Sequence, residues 1–259
     1  MKPAILVVSF GTTHLDTLQE SIASTEEDIA AAFPGCAFYR AFTSKIIRQR
    51  LKKDYDVYVD SVEEALARIT ADGHTQVVIQ PTLLIPGEEY GLLCTSVKQA
   101  AGELRFSMGR PLLCDDSDLE SITAILREAY PVKEDAVLLV MGHGTGHSAN
   151  SMYERLAEIF RAQEGSLVRL CTVEGTPTFA DVVGELKKLP QREVVLVPLL
   201  VVAGEHAKQD MAGQQPGSLR SLLAGEGFRV SCILRGLGQI PSIRAQYVRR
   251  ALEAAEALQ

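Results

Sequence analysis

The segment ILVVSFGTTH at positions 5–14 returns in altered form as LLVMGHGTGH at 138–147. In register, Phe10 faces His143, Gly11 faces Gly144, Thr12 faces Thr145 and His14 faces His147. A second pair follows in the same order, PTLLIPGEEY at 81–90 and PLLVVAGEHA at 198–207. There Pro81 matches Pro198, Gly87 matches Gly204, Glu88 matches Glu205 and Glu89 matches His206. A weaker match sets AFTS (41–44) against TVEG (172–175), with Thr43 opposite Glu174. The offset between the copies falls from 133 to 117 residues, so the second copy has lost residues between its motifs. Two matches in one order constrain the fold more than any other feature of the chain. They require one unit folded twice: two similar α/β domains related by a pseudo-twofold axis.

Within each copy, short apolar runs alternate with amphipathic segments. Strands are expected at 4–10, 37–42, 75–81 and 110–114, then at 136–141, 167–173, 193–202 and 229–234. These runs are nearly continuous in Val, Ile and Leu, as in strands covered on both faces. Helical periodicity predicts helices near 15–33, 60–72, 91–104 and 117–129, then near 149–163, 177–188, 217–225 and 241–257. Such alternation implies parallel sheets flanked by helices. The YPVKED segment (130–135), with Pro131 and exposed charge, is the expected junction. The domains are then 1–130 and 131–259. The last helix can pack back on the first half to close the monomer, or join subunits into a homo-oligomer.

A chain of 259 residues with 46% hydrophobic and 23% charged residues can bury a sizeable core, which excludes a disordered or disulfide-stapled protein. The net charge of −7 argues against nucleic-acid binding and against anionic membranes. Five cysteines (36, 94, 114, 171 and 232) form no C-x-x-C pair and read as reduced, buried small hydrophobes. No stretch approaches a membrane span, and the N-terminal apolar run ends at Gly11 without a cleavage pattern. A cytoplasmic location is expected.

In open α/β sheets, ligands collect beyond the carboxyl ends of the strands. Both motif pairs sit there, and two facing domains would set these loops across one cleft. In the second half, His143, Glu174 and His206 fall at three successive strand ends. Two imidazoles and a carboxylate suit a borderline divalent ion such as Co²⁺, Ni²⁺, Zn²⁺ or Fe²⁺, and three protein ligands leave positions open. A lone histidine after a strand is commonly a polar loop residue. Here His143 stands between glycines, where backbone can approach a ligand closely, and His206 occupies the matched loop. The corresponding Phe10, Thr43 and Glu89 would ligate poorly, so the site is one-sided. His147 reads as a helix start, and His14 and His74 as surface or capping residues. GHGTGH is neither a dinucleotide fingerprint nor a Walker loop, so no nucleotide is expected.

VSFGTT (8–13), PGEEYG (86–91), MGHGTGH (141–147), TVEGTP (172–177) and VAGEHAKQDMAG (202–213) together resemble the class II tetrapyrrole chelatases. Within these the chain is similar to the anaerobic sirohydrochlorin cobaltochelatases (CbiK-type) of vitamin B12 synthesis. The resemblance implies two Rossmann-like halves, each with a four-stranded parallel sheet, around a deep cleft. It implies ATP-independent insertion of Co²⁺ into sirohydrochlorin, or precorrin-2. His143, Glu174 and His206 would hold the metal, and Glu89 would serve in acid/base chemistry. His143 is also a candidate proton acceptor once the metal has transferred. Phe10, Leu84 and Val202 would line the flat faces of the ring, and Tyr90 would contact its edge. Arg40, Lys45 and Lys208 are candidates to offset repulsion between the substrate carboxylates and an acidic protein. Three rivals stand beside this reading: a ferrochelatase for sirohaem, a noncatalytic tetrapyrrole or metal carrier, and a metal hydrolase, for which no second metal site or nucleophile motif is present.

Overall fold

Six buried residues, AILVVS, open the first sheet, and seven, AVLLVMG, open the second. The computed structural model describes residues 2–131, 133–163 and 166–258. In the first part of the chain β1 (Ala4–Ser9) leads into α1 (Leu15–Thr17), a π-helical turn (Leu18–Ala23) and α2 (Ser24–Ala32). Then come β2 (Phe38–Phe42), α3 (Lys45–Tyr55), α4 (Val62–Ala71), β3 (Gln76–Pro81), α5 (Glu88–Ala100), β4 (Arg105–Met108) and α6 (Asp116–Ala129). The remainder is β5 (Ala136–Gly142), α7 (Ser151–Ala162), β6 (Val168–Thr172), α8 (Phe179–Leu186), β7 (Glu193–Leu199), a π turn (Ala207–Met211), α9 (Leu219–Gly225), β8 (Arg229–Cys232) and α10 (Pro241–Leu258).

The two sheets are parallel and four-stranded, ordered β2-β1-β3-β4 and β6-β5-β7-β8. One compact unit comprises Met1–Leu112 with Pro241–Gln259, and the other Leu113–Ile240. In the first, α10 packs on α2, β3 and β4. The Tyr247 hydroxyl donates to the Leu83 carbonyl at 3.2 Å, and the buried Arg250 guanidinium donates to the Leu112 carbonyl at 2.6 Å. Leu6, Val8, Leu66, Ile79 and Val97 belong to its core. In the second unit, α6 packs on α7, and Leu139, Met141, Val182, Leu196 and Leu223 build the core. Val132, inside the expected junction, lies outside the described residues.

Strand register turns the repeat into an exact residue correspondence. Ser9 pairs with Phe42 as Gly142 pairs with Thr172. Val8 pairs with Pro81 as Met141 with Pro198, and Gln76 with Arg105 as Glu193 with Arg229. The Ser44 amide donates to the Phe10 carbonyl, and the Glu174 amide to the His143 carbonyl. Ser44, not Thr43, is therefore the partner of Glu174. The weak sequence match was one residue out because β-bonding, not side-chain likeness, fixes the alignment.

Two elements differ from expectation. The fourth strand of the first sheet is 105–108, not 110–114. Strand β4 is a short half-exposed edge, whereas Leu112 and Leu113 are buried beyond it in irregular chain around Pro111. The apolar run at 110–114 contains Pro111 and follows the strand instead of forming it. Helix α3 carries no clear sequence signature, because only Leu51 of its eleven residues is buried and hydrophobic periodicity is thereby weak. The Ser44 side chain caps it, accepting from the Ile47 amide at 3.4 Å. Strands also end sooner than expected, leaving Phe10, Val173 and Val202 in loops. Of the cysteines only Cys171 is buried, which pushes its thiol up to about 12, and the other four are half-buried.

Candidate metal centre

His143 follows β5 directly, and Glu174 stands two residues after β6. Three close backbone approaches hold their loops together. The His143 carbonyl accepts the amides of Val173 (3.0 Å) and Glu174 (2.8 Å). Gly144 has φ +76°, and a Cβ there would lie 2.5 Å from the Gly175 nitrogen and 2.7 Å from Thr172 Cβ. Only glycine permits both that conformation and that approach. Buried Asn150 then ties the loops by its side chain: Oδ1 accepts from the Thr145 amide (3.2 Å), while Nδ2 donates to the Thr176 carbonyl (3.0 Å) and hydroxyl (2.9 Å). Beneath them the Tyr153 ring fills the space a side chain at Gly142 would need. Burial pushes its phenol up to about 12, partly offset by the Gly144 amide.

His206 caps the π turn that follows β7. Such turns recur at functional sites. The turn starts as helix α5 does: Lys208 donates to the Gly204 carbonyl just as Gly91 does to that of Gly87. This keeps His206 in the place of Glu89. Nδ1 of His206 lies 2.6 Å from Asp210 Oδ2, and Nδ1 of His143 lies 3.0 Å from the Gly144 carbonyl. Those oxygens only accept, so the tautomer that satisfies both contacts carries its proton at Nδ1 and leaves the lone pair at Nε2. The rings meet edge to face with centroids 4.5 Å apart. Sequence reasoning missed Asp210, although an aspartate four residues after a ligand-type histidine on one helical face is a legible signal.

Glu174 Oε2 lies 3.9 Å from His143 Nδ1, and its side chain is 61% exposed. Among the described residues no three His, Cys, Asp or Glu side chains are already gathered as a metal-holding group. The imidazoles are paired and the carboxylate is adjacent to the His143 ring. Beside it a depression of about 480 Å³ is lined by Thr145, His147, Ser148, Asn150 and Glu154, among others. His147 starts a short helical turn, its Nδ1 accepting from the Ala149 amide at 3.1 Å.

In the first unit, Glu89 is exposed in the first turn of α5, Leu84 is half-buried, and Phe10 is exposed after β1. The Tyr90 hydroxyl donates to the Gly109 carbonyl at 3.5 Å. Arg40 forms an ion pair with the buried Glu26, and that engages its guanidinium. Val202, in the second unit, is half-buried in the loop before His206.

A family model described as Cobalt chelatase (CbiK) matches residues 3–256. The chain belongs to the cobalt chelatase family. Among relatives, the sirohydrochlorin cobaltochelatase of Salmonella typhimurium is 34% identical over 256 residues, spanning 98% of this chain and 97% of its own. The sirohydrochlorin cobaltochelatase CbiKC of Nitratidesulfovibrio vulgaris is 35% identical over 243 residues, spanning 92% and 85%. The fold of this cobalt chelatase recurs in SirB from Bacillus subtilis with Fe³⁺, at TM-score 0.68 and 18% identity over 98% of this chain and 96% of that one. It recurs also in SirB of subspecies spizizenii in complex with cobalt, at TM-score 0.62 and 16% identity over 99% and 96%.

Proposed function

We propose that this cobalt chelatase inserts Co²⁺ into sirohydrochlorin without ATP, with His143, His206 and Glu174 holding the metal as it arrives. The observation that carries the reading is the edge-to-face pair of imidazoles, each engaged through Nδ1, which leaves Nε2 for a metal. Two nitrogens and one carboxylate oxygen suit a borderline divalent ion. Glu174 completes the set by swinging from the Nδ1 side of His143. The Asp210 carboxylate fixes the His206 tautomer and ring orientation.

Insertion replaces two pyrrole N–H protons by one Co²⁺, so two protons must leave. A ring that binds the metal cannot accept a proton at the same nitrogen. His143 therefore accepts one only after the metal has moved, and Glu89 is the further proton acceptor. Phe10, Leu84, Tyr90 and Val202 contribute apolar and edge contacts to the macrocycle. The reading places the work in the cytoplasm. No described helix is long and apolar enough to cross a membrane.

The test is anaerobic metalation of sirohydrochlorin, followed by its absorbance spectrum, with Co²⁺ and Fe²⁺ in parallel. The expected result is acceleration over the spontaneous rate with Co²⁺. Acceleration with Fe²⁺ alone would make this a ferrochelatase. Binding of sirohydrochlorin without acceleration by either metal would make it a carrier. Glu89→Gln should slow turnover while leaving Co²⁺ affinity unchanged, and an equal loss of both would make Glu89 a ligand.

A further inference from the structure

We propose that α3 is the docking element for the carboxylates of the macrocycle. The inference rests on the reading above that the substrate is a polycarboxylate tetrapyrrole. The duplication itself singles this helix out. The Phe42 amide donates to the Asp60 carbonyl, as the Thr172 amide does to that of Pro177. Both following helices, α4 and α8, then open with a capping box. Between these equivalent points the first unit has residues 43–59 and the second only 173–176. The offset between copies accordingly drops from 130 to 117 across this one connection. Most of the length by which the copies diverge from β1 to β3 lies in this connection and is taken up by α3, so the repeated fold closes without it.

Its composition is not that of a stabilising insertion. The helix carries Lys45, Arg48, Arg50, Lys52 and Lys53 against a single acid, Asp54, in a chain of net charge −7. Its first turn holds no acid and begins with Lys45, against the helix dipole. Arg48 is engaged by Glu64 at 3.3 Å and Lys52 Nζ lies 5.6 Å from the Tyr58 ring centroid, while Lys45, Arg50, Lys52 and Lys53 are all exposed. Ile46, at 64% exposure, shares a helical face with Arg50 and Lys53. An apolar side chain flanked by cations matches a ring edged with carboxylates. Position agrees with composition. Through Ser44, α3 is bonded to the Phe10 carbonyl, and Ile47 packs against Gly11. That sets the helix at the carboxyl edge of the first sheet, where parallel α/β sheets bind ligands. A local positive field there would concentrate a polyanion that the rest of the surface repels.

The test is the variant K45Q/R50Q/K52Q/K53Q, in which glutamine keeps helix propensity. Metal-free sirohydrochlorin is titrated by fluorescence at low salt and at about 0.5 M salt, beside KM, kcat, Co²⁺ affinity and Tm. Docking on α3 predicts a dissociation constant raised about tenfold or more at low salt. The rise should shrink to under about twofold at high salt, with kcat and Co²⁺ affinity unchanged. An unchanged dissociation constant at low salt would overturn the proposal and leave α3 to an acidic protein partner. A loss of equal size at both salts would overturn it too, as structural damage. Failure of the wild type to metalate would sink the functional reading alone, because the binding titration still reads α3.

Discussion

At His206 the Nδ1 hydrogen bond decides which atom is left for chemistry. Asp210 Oδ2 accepts from Nδ1 across 2.6 Å in the tautomer that leaves the lone pair at Nε2. Asp210→Ala should weaken Co²⁺ binding about 10–100-fold with Tm little changed, as measured by calorimetric titration. Unchanged affinity would mean that Asp210 does not orient the ring. Gly144 makes the second prediction. Alanine there must adopt φ +76° and push against the Gly175 backbone. Gly144→Ala should cost at least about 1–2 kcal/mol of stability in chemical denaturation, and should weaken Co²⁺ binding by parting the loops of His143 and Glu174. Gly146→Ala, with nothing within 4 Å of its Cβ, is the control and should change neither.

Elements were legible in the sequence where burial dictated composition and obscure where it did not. Strands β1, β3, β5 and β7 are largely buried, so their apolar runs announce them. Edge strand β4 is partly exposed, and only α3's Leu51 is buried, so neither left a hydrophobic pattern to read. Of the candidate site, His143, Glu174 and His206 stand out by their place in the repeat and Asp210 by its i+4 spacing from His206, whereas Asn150 acts through hydrogen bonds that become visible only once the loops close. Helix α10 is fixed by polar contacts as well as apolar ones. Tyr247→Phe leaves the buried Leu83 carbonyl without that donor, and should cost about 1 kcal/mol in urea denaturation. Buried Glu26 of α2 adds a pH dependence. Burial raises its carboxyl above the ordinary 4.5, outweighing the Arg40 guanidinium. The folded state therefore holds that proton more tightly than the unfolded chain, and the stabilisation is lost as pH rises above 4.5. Relative to Glu26→Gln, the wild type should lose stability as pH rises through the carboxylate range. A difference that grows instead would reverse the sign.

The whole molecule is one α/β unit written twice and specialised once. Strand register equates Phe10, Ser44 and Glu89 with His143, Glu174 and His206. One copy has the donors for a metal, and the other has an aromatic ring, a helix cap and a carboxylate at those places. The first copy alone carries the basic helix α3. Divergence therefore fell on the strand-end loops, while sheet order and register stayed fixed. The most direct test is an anaerobic Co²⁺ titration of the intact chain, read by visible absorption, for wild type, His143→Ala, His206→Ala and Glu174→Gln. The account predicts one Co²⁺ per chain, an affinity loss of about a hundredfold for either histidine variant, and a smaller loss for Glu174→Gln. Wild-type affinity in both histidine variants would contradict it.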